Sequence, residues 1–359
     1  MFRIAVSTVA AVVFAASHIA TVHAADTESV AALGPAAQQS LAALKAKYQR
    51  PTSIPFPSDN PYSVEKAQLG QMLFFDPRMS GDNYIACASC HNPALSWGDG
   101  LPRGIGTGMT KLARRTPTVL NLAWAELLMW DGRKPSLEEQ ALGPIQTDVE
   151  MNQNLDDLVK ELSAINEYKL RFTMAFPGEG LTGPNIGKAI ATFERTIVSN
   201  VAPFDRWIAG DESAISPAAK RGFDLFNNKA NCAACHSGWN FTDGAFHDIG
   251  LPSQDVGRYK ELSLPSMMHA FKTPTLRDVD RRGPYMHDGS LKTLVDVMRH
   301  YNGGGIQRPS LSGDMKKLDL TKAEIADVIA FMQTLTSDDP LPQVPRLPVA
   351  PQPRREAAR

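Results

Sequence analysis

Apolar positions along this chain recur at intervals of three and four, the spacing that collects them on one face of a helix. One such stretch opens after Ser63, a residue able to cap a helix, and runs to about Phe75. A second opens at Asn154, and a third covers 185–199 (NIGKAIATFERTIVS). Other starts are marked by their chemistry. Ser136-x-x-Glu139 and Thr321-x-x-Glu324 read as capping boxes, and Ser216-Pro217 puts proline at a first helical position. No stretch gives a convincing set of alternating strands. The pattern predicts a mostly α fold with little or no sheet. Long Gly- and Pro-rich loops separate the helices, and loops of that length need something to organise them. A large buried prosthetic group would do so.

The pattern also repeats. Ala67-x-Leu69-Gly70-x-x-Leu73-Phe74 returns as Ala219-x-Arg221-Gly222-x-x-Leu225-Phe226. Thr116-Pro117-Thr118 returns as Thr273-Pro274-Thr275, and Trp130-Asp131-Gly132 as His287-Asp288-Gly289. Pro117 to Trp130 and Pro274 to His287 are both 13 positions. This implies two related domains, 58–203 and 204–338, dividing near 201–215. Residues 26–57 read as a lead-in with a short helix. Residues 339–359, rich in Pro and Arg, read as a disordered tail.

Residues 1–25 read as a secretory signal peptide: one early charge at Arg3, an apolar run from Ile4 to about Ala16, and an A-x-A-like cleavage site at Val22-His23-Ala24, with Ala25 as an alternative. The apolar run is too short for a membrane span, and no later segment is long and apolar enough to be one. The implied location is the periplasm. The chain has 359 residues and is 43% apolar, enough for two cored domains. A net charge of -1 gives no pointer to nucleic acid or to an anionic membrane surface.

Export favours disulfides, yet the four cysteines form two tight pairs, each in the pattern C-x-x-C-H. These are Cys87, Cys90 and His91, then Cys232, Cys235 and His236. Two thiols at that spacing can add to the two vinyl groups of a haem, and the next residue's imidazole reaches the iron. A zinc site would not need His immediately after both second cysteines. Two covalent haems c are therefore expected, and the sixth ligand on each iron separates catalysis from electron transfer. After the first motif no His occurs before His236, and Met109, in a Gly-rich loop, is the only nearby Met. An open sixth position is the simplest reading there. Glu150 is a candidate carboxylate for moving peroxide protons. After the second motif His247, His269, His287, His300, Met286, Met298 and Tyr301 all remain candidates. Arg277 is a candidate partner for a haem propionate.

The segments RRTPTVLN, WDGR, SLEEQALGP, DVEM, FKTPTLRDV and PYMHDGS, with the HYN after it, resemble the bacterial di-haem cytochrome c peroxidase superfamily, and within it the MauG-type branch. The resemblance covers roughly 60–336. It implies two cytochrome-c-like haem domains packed around an inter-haem interface. By position, Glu150 looks like the distal acid–base residue of the peroxide haem, Gln140 and Pro144 like its distal-pocket companions, and Trp130 like the electron relay between haems. Thr107 stands where the ordinary peroxidases carry a distal His, so this haem should be open without reductive activation. Tyr301 stands where they carry the second haem's Met, as in the MauG-type branch.

The resemblance further implies an enzyme that uses hydrogen peroxide at the N-terminal haem. Its high-valent state is shared with a His236/Tyr301 haem, and it oxidises a partner protein at Trp. The best-known partner of such enzymes is methylamine dehydrogenase in its precursor form. The alternative is a peroxidase that draws electrons from a small cytochrome c or cupredoxin. The family also holds a calcium ion between its domains. Here Arg115 replaces the Asn ligand and Arg282 occupies one carbonyl-donor position, so a guanidinium is expected to stand in for the ion.

Overall fold

Polar caps set the helix starts. In the computed structural model, which describes residues 35–338 and 340–349, Ser63 Oγ accepts the Lys66 N–H at 3.2 Å. The signal-peptide reading falls on residues outside those described. The chain divides into two units at Leu41/Ala42. The described part of the first unit is the start of helix α1 (Pro35–Ala46).

Within the second unit, α2 (Val64–Phe75) follows Ser63, and α4 (Leu137–Gln146) follows Ser136, whose hydroxyl accepts Glu139 N–H at 3.2 Å. Asn154 caps α5 (Leu155–Ser163), which leads into α6 (Asn166–Ala175). Helix α7 spans Gly183–Arg195 and so stops four residues short of the expected 199. Then come α8 (Pro203–Ile208), α9 (Pro217–Asn227), α10 (Tyr259–Leu262) and α11 (Leu294–Gly303). Thr321 and Glu324 make both halves of a capping box (3.2 and 2.7 Å) at the start of α12 (Lys322–Gln333). Helix α3 is a single turn, Cys87–Cys90. Among the described residues the one sheet is a two-residue pair, β1 (Phe246–His247) antiparallel to β2 (Phe271–Lys272). No helix among them is long and apolar enough to cross a membrane.

The sequence repeat is a structural one. Helix α2 packs on α7, and α9 packs on α12. A Cβ on Gly70 would lie 1.9 Å from Ala189 O, and one on Gly222 would lie 1.9 Å from Asp327 O. Both helix crossings are therefore closed by a missing side chain. Met129 and Met286 hold matching left-handed backbones (φ 71° and 73°). The halves also exchange bonds: Arg115 N–H donates to His287 O, and Lys272 N–H to Trp130 O, each at 2.8 Å. In both cases the residue before Thr-Pro-Thr reaches the aromatic residue of the other copy.

Each half has its own core. The first is aliphatic and aromatic around Leu69, Phe74, Ile145 and Phe172, all at most 1% exposed. The second is aromatic, with Phe204, Phe223, Phe226, Phe241 and Phe331 linked by edge-to-face contacts, for example Phe226–Phe331 at 5.1 Å. Such pairs add about 0.5–1.5 kcal/mol each beyond burial. The stretch expected to be a free tail is in part seated. Within 340–349, which forms no regular element, Pro348 O accepts from Arg78 Nη1 at 3.0 Å and Gln343 O from Gln71 Nε2 at 3.2 Å.

Candidate functional site

The loops between helices wrap a cavity of about 1230 Å³. That exceeds the ~300–1,000 Å³ of ordinary small-molecule pockets. Both C-x-x-C-H motifs line it, together with Trp130, Gln140, Pro144, Glu150, Met298 and Tyr301. The four thiols are unpaired despite their close spacing. Burial pushes the Cys90 thiol up to about 11 and Cys232 to about 12, and raises Cys87 further. Burial holds these three, Cys87, Cys90 and Cys232, as neutral thiols rather than thiolates poised for a free ion.

The two imidazoles are oriented alike. His91 Nδ1 lies 3.2 Å from Trp97 O, and His236 Nδ1 lies 2.9 Å from Phe241 O. A carbonyl can only accept, so Nδ1 carries the proton and Nε2 keeps its lone pair, as a metal-ligating His requires. Burial lowers both imidazoles and keeps them neutral. The cavity also leaves protein polarity unmatched. Five buried side-chain atoms lack a hydrogen-bond partner among the described residues, and four of them belong to cavity-lining residues: Arg115 Nε, Gln140 Oε1, Glu194 Oε2 and Arg282 Nε. Closely spaced free thiols, neutral imidazoles and orphaned polar atoms together fit a tetrapyrrole with polar edge groups.

On the first motif's side, Glu150 lies in the turn after α4. Burial raises its carboxyl above the ordinary range, and the Arg133 guanidinium partly offsets that. Its backbone is pinned: Glu150 O accepts both Thr107 N–H (2.8 Å) and Thr107 Oγ1 (2.9 Å). Thr107 thus turns its side chain onto the Glu150 backbone. Gly106 makes this approach possible, since a Cβ there would lie 2.0 Å from Val149 O. Pro144 sits inside α4, where it cannot donate to Gln140 O, and its own carbonyl accepts Met151 N–H at 3.2 Å. Met109 is 77% exposed and does not line the cavity, which excludes it as a ligand in this structure.

On the second side, α11 brings Met298 and Tyr301, three residues apart, to the same wall. Burial and the nearby thiols of Cys232 and Cys235 raise the Tyr301 phenol, so it is neutral unless a cation lies opposite. His300 and His269 bond to the Ile249 and Asp255 carbonyls (both 2.8 Å), and His247 to Asp243 (2.8 Å). His247, Asp243 and Cys235 could together hold a small ion only while that thiol stayed free. His287 stacks on Phe271 at 3.6 Å and meets Ser253 Oγ at 3.2 Å. Trp130 lines the same cavity, with Nε1–H donating to Arg115 O at 2.8 Å.

The described architecture has close relatives. Residues 64–213 match the model for di-haem cytochrome c peroxidase, and 219–336 match that for cytochrome c. The methylamine utilization protein MauG of Methylorubrum extorquens is 52% identical over 317 residues, 87% of this chain and 90% of that protein. The chain belongs to the di-haem cytochrome c peroxidase family, in its MauG branch. Cytochrome c551 peroxidase of Pseudomonas aeruginosa is 32% identical over 81% of this chain and 84% of its own. Among solved structures, a MauG-like protein associated with microbial copper homeostasis superposes with a TM-score of 0.75 at 31% identity, covering 81% of this chain and 95% of its own. This family member is a haem c oxidoreductase of the peroxidase type, with a MauG-like rather than an ordinary peroxidase pattern.

One sequence expectation is overturned. Arg277 does not face the cavity; it forks onto Asp205 at 2.7 and 2.8 Å and is fully buried. The residues missed were Arg115 and Arg282 as cavity walls, Lys272, and Glu194, whose carboxyl burial pushes up to about 8.

Proposed function

We propose that the protein binds two haems c and uses hydrogen peroxide to oxidise a partner protein at tryptophan. Cys87 and Cys90 hold the first haem with His91 as proximal ligand. Cys232 and Cys235 would hold the second, with His236 and Tyr301 as the residues that would ligate its iron. Bound haem supplies an iron that accepts peroxide and takes up its oxidising equivalents.

The chain's own groups do the rest. Glu150 takes a proton from peroxide and returns it to the departing oxygen, as its raised carboxyl suits. Gln140 Oε1, buried and unpartnered, accepts from the same ligand. Pro144 and the Thr107 bonds fix Glu150 in place. Trp130 relays electrons between the two haem sites. Tyr301 ionises against the second iron, and a phenolate favours its oxidised state where a thioether would favour the reduced one. The observation that carries the reading is Thr107: the side chain at the usual distal-His position is tied to the Glu150 backbone and offers the first iron no ligand.

Arg115 Nη2 donates to Arg282 O at 2.5 Å, a carbonyl at one of the positions the resemblance gives to calcium. A guanidinium supplies positive charge to that oxygen as an ion would. Calcium retained by EDTA-washed protein would overturn this part. The leader supports a periplasmic site of action, checked by the mature N-terminus near residue 25.

Mass spectrometry and a pyridine haemochrome assay should find two haems per chain. The Tyr301→Phe variant should keep both but lose the phenolate charge-transfer absorption. With peroxide, the methylamine dehydrogenase precursor should gain quinone absorbance. If a small cytochrome c or cupredoxin is oxidised instead and the precursor is untouched, the alternative peroxidase function holds.

A further inference from the structure

Several buried or half-buried arginines in this protein meet a carboxylate. Arg277 pairs with Asp205, Arg195 with Glu138, and Arg114 with Asp131 and Asp255. Several cations on the cavity wall do not, and burial draws three of them below their ordinary range. Arg115 and Arg282, each 6% exposed, and half-buried Lys272 form no ion pair among the described residues. Arg115 Nη2 and Arg282 Nη2 donate only to carbonyls, those of Arg282 and Thr275, both at 2.5 Å. The Nε of each is unpartnered. Lys272 Nζ has one carbonyl, Leu127 O at 2.7 Å, for its three protons.

The acids that act on them, Asp99 on Arg115 and Asp278 on Arg282, do so without forming an ion pair among the described residues. Asp99 accepts from Thr116 Oγ1, and Asp278 from Ser96 Oγ and Ser337 N–H. Burial accordingly draws Lys272 down to about 8 and Arg282 to about 10. Leaving buried cations without an ion-pair partner is unfavourable, so a fold that lines one cavity with them is built for an anion supplied by a ligand.

The repeat sharpens this. Arg115 and Lys272 each stand immediately before Thr-Pro-Thr. Each sends its backbone N–H to the aromatic residue of the other half, His287 O and Trp130 O, at 2.8 Å. They are one position used twice, once per C-x-x-C-H motif, with Arg282 touching Arg115 across the two halves. We infer that Arg115, Lys272 and Arg282 form a buried receptor for carboxylates, the propionate groups of the two tetrapyrroles, with Arg115 and Lys272 serving one haem each. This rests on the two-haem reading above. It also makes the cluster a tuning element: a fixed cation beside a haem disfavours its ferric form.

The test uses the full-length holoprotein and spectroelectrochemical titration, with Lys272→Gln, Lys272→Arg, Arg115→Gln and Arg115→Lys. Each Gln variant with two haems should lower a midpoint potential, cutting the ferrous:ferric ratio at fixed poise about tenfold. The charge-keeping variants should largely restore it. Resonance Raman propionate-bending modes should shift in Arg115→Lys, because an ammonium cannot reproduce the planar donor set. That reading needs no neutral variant to fold. Unchanged potentials in loaded Gln variants, shifts as large in Arg and Lys variants as in Gln ones, or unmoved propionate modes would each sink the receptor. A wild type without two haems would instead sink the reading beneath it.

Discussion

Replacing Glu150 by Gln removes a proton carrier and little else. The bonds that place this residue run through its backbone: Thr107 N–H and Oγ1 to Glu150 O, and Glu150 N–H to Thr147 O at 3.0 Å. Gln keeps all three and nearly the same volume. Both haems and the resting spectra should therefore be unchanged. What is lost is proton transfer to and from peroxide, worth about 10²–10⁴ in rate, or about 2.7–5.5 kcal/mol of barrier. Stopped-flow mixing of the ferric protein with peroxide at pH 7 measures it directly. The pH profile adds a second signature. Burial raises the Glu150 carboxyl and Arg133 lowers it, so the wild-type rate should fall as pH drops through a value above the ordinary carboxylate one. Arg133→Ala should move that limb to higher pH, and Glu150→Gln should abolish it. A Gln variant within about threefold of wild type, with its acid limb intact, would remove Glu150 from the chemistry.

Gly106→Ala should slow the same reaction with Glu150 still present, because its Cβ would meet Val149 O at 2.0 Å and displace the loop; unchanged kinetics would show that the loop's position does not matter. Glu194 has its folded-state carboxyl raised to about 8, so its contribution to stability is complete at acid pH and is lost as pH rises from about 4.5 through 8. Denaturant melts should fall across that window by at most about 5 kcal/mol, and Glu194→Gln should flatten the slope. Gly222→Ala forces α9 from α12, where its Cβ would lie 1.9 Å from Asp327 O, and should cost about 1–3 kcal/mol in a thermal melt with haem attachment retained; a neutral effect would show that the crossing is not close.

The parts of this site legible in the sequence were those whose chemistry is local. C-x-x-C-H puts thiols and imidazole within one turn, so their joint role shows in five residues. Capping by Ser63, Asn154 and Thr321 is equally local, and those helices begin where expected. Partners distant along the chain were not legible. Arg277 looked free for a propionate, yet Asp205, 72 positions away, satisfies it. Met109, the one Met close behind the first motif, is exposed and off the cavity. The cationic wall does leave a sequence signal, a basic residue before Thr-Pro-Thr in both copies. Its meaning needed the crossed hydrogen bonds of the folded halves. Glu194 gave no signal at all, since a carboxylate at the end of an amphipathic helix reads as surface until α7 is seen buried on α2 and α4.

The most direct test of the account is to add one equivalent of hydrogen peroxide to the purified all-ferric protein without reductant, following optical and EPR spectra. If the first iron is open and coupled to the second through Trp130, both ferric signals should change together and at once. If neither changes until one haem has been reduced, the first iron is closed at rest, and the roles given to Thr107 and Tyr301 are wrong.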